Sequence, residues 1–291
     1  MLRLLLALLW VLRWLPPRLL DVLGRGLGWL AWHMARERRQ VALTNLGLCF
    51  PQWSEAQRQK VAREHFHQFA TTVLSQGLCW FAPLSTLRKI VQYHGWEHLE
   101  QALKQGPVML LTPHFFGIDL IGITLSADIN LIAFHSRHKN LKMDQVIHER
   151  RLRWKRGLIF NRQDGVRPVL RALKPGWALY YLPDLDLGPR ESVFCDFFKV
   201  PAATVTALPR LARVARARIV PLVIHQDFAH GICKAEFLPA WENYPTADEG
   251  ADLTRMNQFI EEQVLAQPAH YLWTHKRFKT RPQGEASFYP S

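Results

Sequence analysis

The sequence predicts an α/β protein with a central mixed sheet flanked by helices, preceded by an N-terminal apolar, membrane-associated helix. Three observations carry this. Short apolar runs alternate with helix-length stretches from residue 107 onward, the pattern of a sheet with helices on its faces. A chain of 291 residues, 48% of them apolar, can bury a sizeable core and does not read as disordered. The opening "MLRLLLALLWVLRWLPP" is almost wholly leucine, tryptophan and arginine before two prolines.

Taken in order, Leu4 to Leu12 form an apolar run of nine residues, short of the roughly 20 a helix needs to cross a bilayer. Arg13 and Pro16–Pro17 then interrupt it. Beyond the prolines Leu19, Leu20, Leu23, Leu27, Leu30 and Trp32 supply a second apolar surface, with Arg18, Asp21 and Arg25 between them. No small-residue cleavage site follows, which argues against a removed signal peptide. The expected arrangement is a helical segment in the membrane interface with its arginines reaching headgroups; a hairpin packed on the protein's own core is the alternative. Residues 1–40 are read as this anchor, 41–282 as the α/β domain and 283–291 as a loose tail. A long helix is expected over 54–80, with Ser54 as its N-cap. Strands are expected at 107–112, 129–134, 177–182, 218–224 and 232–238, and further helices at 117–126, 140–156, 165–174, 203–216 and 249–266.

Lys and Arg number 37 against 24 Asp and Glu, a net charge of +13. That field attracts phosphates, whether of nucleic acid, anionic lipid or a phosphorylated substrate. Eleven tryptophans favour the lipid reading. The four cysteines, Cys49, Cys79, Cys195 and Cys233, have no CxxC spacing and read as ordinary buried thiols.

Four stretches carry candidate chemistry. In "LLTPHFFGID" an apolar strand breaks at Pro113 and delivers His114, with Asp119 five residues on. A strand, a turn at Gly117 and a helix start would fold His114 back towards Asp119, and an imidazole oriented by a carboxylate is a general base. Phe115 and Phe116 suit either an apolar channel or the core. No G-x-S-x-G or neighbouring nucleophile is present, so the proton would come from the substrate or water. In "YYLPDLDLGPRESVF" Asp184 and Asp186 follow a strand, where α/β proteins place ligands. A metal-dependent glycosyltransferase would use such a pair to hold a divalent cation; an Asx turn uses it structurally. The runs "HERRLRWKRG" (Arg150, Arg151, Arg153, Lys155, Arg156) and "YLWTHKRFKTRP" (Lys276, Arg277, Lys279, Arg281) would meet phosphates or simply face solvent. Histidines 65, 67, 94, 98, 135 and 138 show no metal spacing and read as structural or surface residues.

Together "HFFGID", "RRLRW", "NRQDGVRPVLRALKPGWALYYLPDLDLGPRESVF" and "YLWTHKRFKTRP" resemble, in that order, the late acyltransferases of lipid A biosynthesis. These are the lauroyl and myristoyl transferases of the larger lysophospholipid acyltransferase group. The resemblance runs along nearly the whole chain. It implies transfer of a fatty acyl chain from an acyl carrier protein thioester to a hydroxyl of a phosphorylated glycolipid, at the cytoplasmic face of a bacterial inner membrane. It further implies that His114 and Asp119 are catalytic, that Arg151 (with Arg150 and Arg153 as alternatives in register) and Asp184 support substrate or transition state, and that Lys276, Arg277, Lys279 and Arg281 contact lipid phosphates. In this reading Asp184 would orient Arg151 or the acceptor. It calls for no cofactor, no metal and no nucleic acid; a lysophospholipid or aminolipid acceptor is the alternative within the group.

Overall fold

The structure, a computed structural model, describes residues 2–154 and 156–290; Lys155 of the basic run lies outside them. Its N-terminal third is helical. Helix α1 (Leu2–Leu12) and α2 (Pro17–Met34) are separated by the prolines, with Pro17 opening α2, where a missing N–H costs nothing. After α3 (Arg36–Cys49), α4 (Glu55–Phe81) runs 27 residues, about 40 Å. Its start is a capping box: Ser54 Oγ accepts the Gln57 N–H at 3.2 Å and Gln57 Oε1 accepts the Ser54 N–H at 2.7 Å.

Both α1 and α2 lie on α4. The buried Asp21 of α2 meets His67 Nε2 of α4 at 2.8 Å. The outer face of the pair stays apolar: Leu4, Trp14, Trp29 and Met34 are each about two-thirds exposed or more. Arg13 lies between Trp10 and Trp14, 4.5 and 4.4 Å from the two rings. Among the described residues no helix is long and apolar enough to cross a membrane. The segment expected as an anchor is thus two helices packed on the body, as in the alternative, with one apolar side left uncovered. Since α3 spans residues 36–49, no break in structure falls at residue 40.

The remainder alternates: α5 (Leu84–Ile90), β1 (Val91–His94), α6 (Trp96–Gln105), β2 (Val108–Leu111), α7 (Ile118–Asp128), β3 (Asn130–His135), α8 (Leu141–Arg151), β4 (Gly157–Asn161), α9 (Arg167–Ala172) and β5 (Trp177–Tyr181). A hairpin of β6 (Ser192–Phe197) and β7 (Val200–Val205) follows, then α10 (Ala207–Ala215), β8 (Arg218–Asp227), β9 (Ile232–Phe237) and α11 (Glu249–Ala266). Seven strands form one sheet in the order β1-β9-β8-β2-β5-β3-β4. All pairs are parallel except β8 with β9, so the sheet is mixed, as expected. Every residue of β2 is buried, which is why it reads as an unbroken apolar run. Two cores result, one holding Phe115, Trp273 and Phe278, the other Leu110, Leu120 and Ile121.

All five expected strands are present. Two expected helices ran too long. The helix expected over 140–156 stops at Arg151, with β4 beginning at Gly157, and the one expected over 203–216 begins at Ala207 because the residues before it pair in β7. The tail is not loose: the Tyr289 hydroxyl is buried between Asn45 Oδ1 (2.5 Å) and the Phe278 N–H (3.0 Å).

Candidate active site

The sheet places the site. Neighbours β2 and β5 are parallel, with Leu111 beside Tyr181, so the loops leaving their C-terminal ends emerge at one edge. The β2 loop carries His114 and the β5 loop Asp184. His114 Nδ1 lies 2.6 Å from Asp184 Oδ1, and the His114 backbone N–H donates to Asp184 Oδ2 at 2.9 Å. Burial opposes ionisation of Asp184, but the His114 ring and its hydrogen bonds outweigh this and hold the carboxyl below the usual range. A carboxylate there accepts the Nδ1 proton and leaves Nε2 as an acceptor. Asp184 is 1% exposed, while His114 opens onto a cavity.

Asp119 is not the partner of His114. Gly117, in the left-handed region at φ 95°, ends the turn and starts α7, where a Cβ would sit 2.9 Å from Cys233 Sγ. The helix then carries Asp119 towards α8, where it accepts Arg151 Nε at 3.1 Å and Nη2 at 2.8 Å. The contacts therefore differ from those expected from sequence: Asp184 meets the histidine and Asp119 meets Arg151. Gln76 of α4 faces Asp119 at 3.4 Å. Of the three candidate arginines, Arg151 alone lines the cavity. Arg153 donates to the Cys79 and Ala82 carbonyls at the end of α4, and Arg150 covers the Phe81 ring.

Sequence reasoning missed His135, which it set aside as scattered. It ends β3, beside β5, with Nε2 2.7 Å from Asp144 Oδ1 and Nδ1 facing Arg151 Nη1 at 3.4 Å. Its place at a strand's C-terminal end was the available signal.

Asp186 has a different task from Asp184. It is 2% exposed and accepts the Thr280 N–H and hydroxyl, at 2.6 and 2.8 Å, and the Gly188 N–H at 2.9 Å. The two carboxylates thus point into the protein and do not form an open cation clamp. No group of three or more His, Cys, Asp or Glu among the described residues is placed to hold a metal ion.

The C-terminal cations also depart from expectation. Arg277 is buried, donating to the Ala203 carbonyl at 2.9 Å and Thr204 Oγ1 at 3.3 Å. Arg281 is turned inward onto the Pro201 carbonyl and pairs with Glu285, and Lys276 pairs with Glu37 at 3.4 Å. Only Lys279 of the four is exposed. The segment is a chain of turns, with Trp273 and Phe278 in the core, so its alternating charges and aromatics do not sort onto two faces.

The cavity has a volume of about 760 Å³. His114, Asp119, His135 and Arg151 are among its polar lining, and Ile118, Ile123, Leu131, Ile159, Tyr180 and Leu182 give it apolar walls. Phe115 and Phe116, considered for this channel, are instead core residues, with Phe115 bridged to Tyr271 and Phe116 against His65.

A histidine oriented by a buried carboxylate at the head of an apolar cavity suits an enzyme that moves an apolar group by general-base chemistry. Comparison with known proteins gives the family. The family profile of the bacterial lipid A biosynthesis acyltransferases matches residues 2–280. The lipid A biosynthesis palmitoleoyltransferase of Escherichia coli (strain K12) is 33% identical over 286 residues, covering 98% of this chain and 92% of the relative. The lauroyltransferase of the same organism is 32% identical over 287 residues (98% and 93%), and its myristoyltransferase 33% over 282 (94% and 85%). The chain belongs to the bacterial lipid A biosynthesis acyltransferase family, and it is an enzyme that transfers acyl groups.

Proposed function

We propose that this protein moves a fatty acyl chain from an acyl carrier protein thioester to a hydroxyl of a lipid A precursor, with His114 as general base. The single observation that carries the reading is the 2.6 Å contact between His114 Nδ1 and Asp184 at the head of the apolar cavity. His114 Nε2 takes the proton of the acceptor hydroxyl as its oxygen attacks the thioester carbonyl. Asp184 fixes the tautomer and stabilises the imidazolium. Collapse of the tetrahedral intermediate breaks the C–S bond, and the imidazolium returns its proton to the departing thiolate, leaving ester and thiol. Arg151, held by both its bonds to Asp119, supplies positive charge where the oxyanion develops. The apolar walls receive the acyl chain. Arg162 and Arg167 border the cavity in exposed positions, which favours an acidic carrier and a phosphorylated acceptor.

The uncovered apolar side of α1 and α2 suits the plane of a membrane interface, with the catalytic body on the cytoplasmic side of the bacterial inner membrane, where the acyl carrier thioester is supplied. Replacing Leu4, Trp14 and Trp29 together by serine is expected to move the protein from pellet to supernatant when sedimented with anionic vesicles. Unchanged sedimentation would remove these helices from membrane binding.

The reaction is tested by giving wild type and His114→Ala labelled acyl carrier thioester in detergent with chelator present. Three acceptors are compared: a lipid A precursor, a lysophospholipid and an aminolipid. Transfer to the lipid A precursor, unaffected by chelator and lost in His114→Ala, is expected. Transfer to another acceptor would move the substrate assignment, and full activity in His114→Ala would remove the histidine from the chemistry.

A further inference from the structure

Helix α8 brings Arg151 to the cavity, yet none of its residues is fully buried, so its polar contacts matter to where the guanidinium stands. Both bonds from Arg151 to Asp119, one from Nε and one from Nη2, end on the same oxygen, Oδ1. A carboxylate that offered one oxygen to each nitrogen would fix the plane of the guanidinium. A single acceptor atom is a pivot about which the group can swing. The other oxygen, Asp119 Oδ2, faces Gln76 at 3.4 Å.

A third contact removes the pivot. Arg151 Nη1 donates to His135 Nδ1 at 3.4 Å, and His135 Nε2 donates to Asp144 Oδ1 at 2.7 Å. Asp144 and Arg151 stand two turns apart on one face of α8. The His135 ring, at the end of β3 and 6% exposed, lies between them. The same Asp144 oxygen accepts the His138 N–H at 2.6 Å, and that bond together with His135 holds the carboxyl below the usual range. An ionised carboxylate only accepts and a guanidinium only donates. The two therefore fix the ring as the tautomer with its proton on Nε2 and the lone pair of Nδ1 turned to Arg151. Among the described residues Arg151 makes no other side-chain hydrogen bond, which leaves one N–H on each of Nη1 and Nη2 for a substrate oxygen.

We propose that His135 is a positioning residue for acyl transfer: anchored by Asp144, its Nδ1 stops the Arg151 guanidinium turning on Asp119 and aims the two remaining N–H groups at the oxygen of the reacting carbonyl. This rests on the reading of Arg151 as the group that meets the oxyanion. His135 then acts through Arg151 and needs no contact with a reacting atom.

Two substitutions divide the ring. His135→Asn places a carbonyl oxygen as many bonds from Cβ as Nδ1 was, and can still accept from Arg151. His135→Gln places an amide nitrogen where Nε2 was, and keeps only the bond to Asp144. Transfer from labelled acyl carrier thioester to the lipid A precursor is measured for these two, for wild type, for Arg151→Met and for the double variant of His135→Gln with Arg151→Met. His135→Gln should lower kcat about 10–100-fold with KM little changed, and His135→Asn should keep a larger share of the rate. On top of Arg151→Met, His135→Gln should cost nothing further. Equal losses in the two ring variants, a larger loss in His135→Asn, or an undiminished loss on top of Arg151→Met overturns the proposal and leaves the Arg151 reading intact. Wild-type kcat in Arg151→Met overturns both. If a ring variant does not fold, Asp144→Ala replaces it. The ring then loses the carboxylate that fixes its tautomer, so a smaller loss, again absent on top of Arg151→Met, is expected, and wild-type kcat overturns the proposal.

Discussion

Asp184→Asn is expected to lower kcat by about 10³–10⁴-fold, close to the effect of losing the histidine itself. The carboxylate holds His114 by two bonds, one to the ring Nδ1 and one to the backbone N–H. An amide of the same shape can keep one of these contacts. It no longer stabilises an imidazolium, and its N–H can turn the ring into the tautomer whose Nε2 is protonated. Asp119→Asn offers the contrast. There the two bonds from Arg151 weaken while the His114 pair stays whole, so a loss nearer 10²-fold is expected, from a displaced cation. Steady-state kinetics on the two variants separate the roles. If Asp119→Asn proves the more damaging, with Asp184→Asn near wild type, the pairing seen between His114 and Asp184 is not the one that operates in catalysis.

The second large effect concerns stability. Gly28→Val is expected to cost about 3 kcal/mol and lower the Tm by several degrees. A Cβ at Gly28 would lie 2.6 Å from His67 Cα and 2.8 Å from the Phe66 carbonyl oxygen, both backbone atoms of α4 that cannot swing aside. The valine would wedge α2 from its seat and strain the Asp21–His67 contact nearby. Gly26, two residues earlier, has nothing within 4 Å of such a Cβ. Gly26→Ala should be neutral or slightly stabilising in the same melting experiment, because alanine is the better helix former. Equal melting of the two variants would mean that α2 is not seated on α4 in solution.

These cases also mark what the sequence discloses. The strands β2, β5 and β8 are legible because burial makes them apolar runs, and β9 because it alternates. Edge strand β4 is only partly buried and lies directly after a basic helix, so its five residues carry no comparable pattern. The hairpin of β6 and β7 forms a two-stranded sheet of its own, and β7 runs straight into a helix. At the site, His114, Asp119, Arg151 and Asp184 all stand out by residue type and position. Which of them touch is another matter, because His114 and Asp184 are 70 residues apart and meet only through the parallel pairing of β2 with β5. A five-residue spacing favoured the nearer carboxylate; the sheet selected the farther one. Arg277 was misplaced for a related reason. A buried cation and a solvated one look alike in a charge run, and only the path of the backbone tells them apart.

The C-terminal segment bears on how the enzyme comes into being. Chains are made from the N-terminus, so α1 and α2 emerge long before residues 271–289, which strap the histidine and aspartate loops together and pin themselves to Asn45. If α1 and α2 lie in a membrane interface as proposed, attachment of the growing chain to the bilayer precedes completion of its catalytic centre. On that proposal a nascent enzyme reaches the membrane still inert, and gains its chemistry there only when the C-terminal segment closes over the two loops.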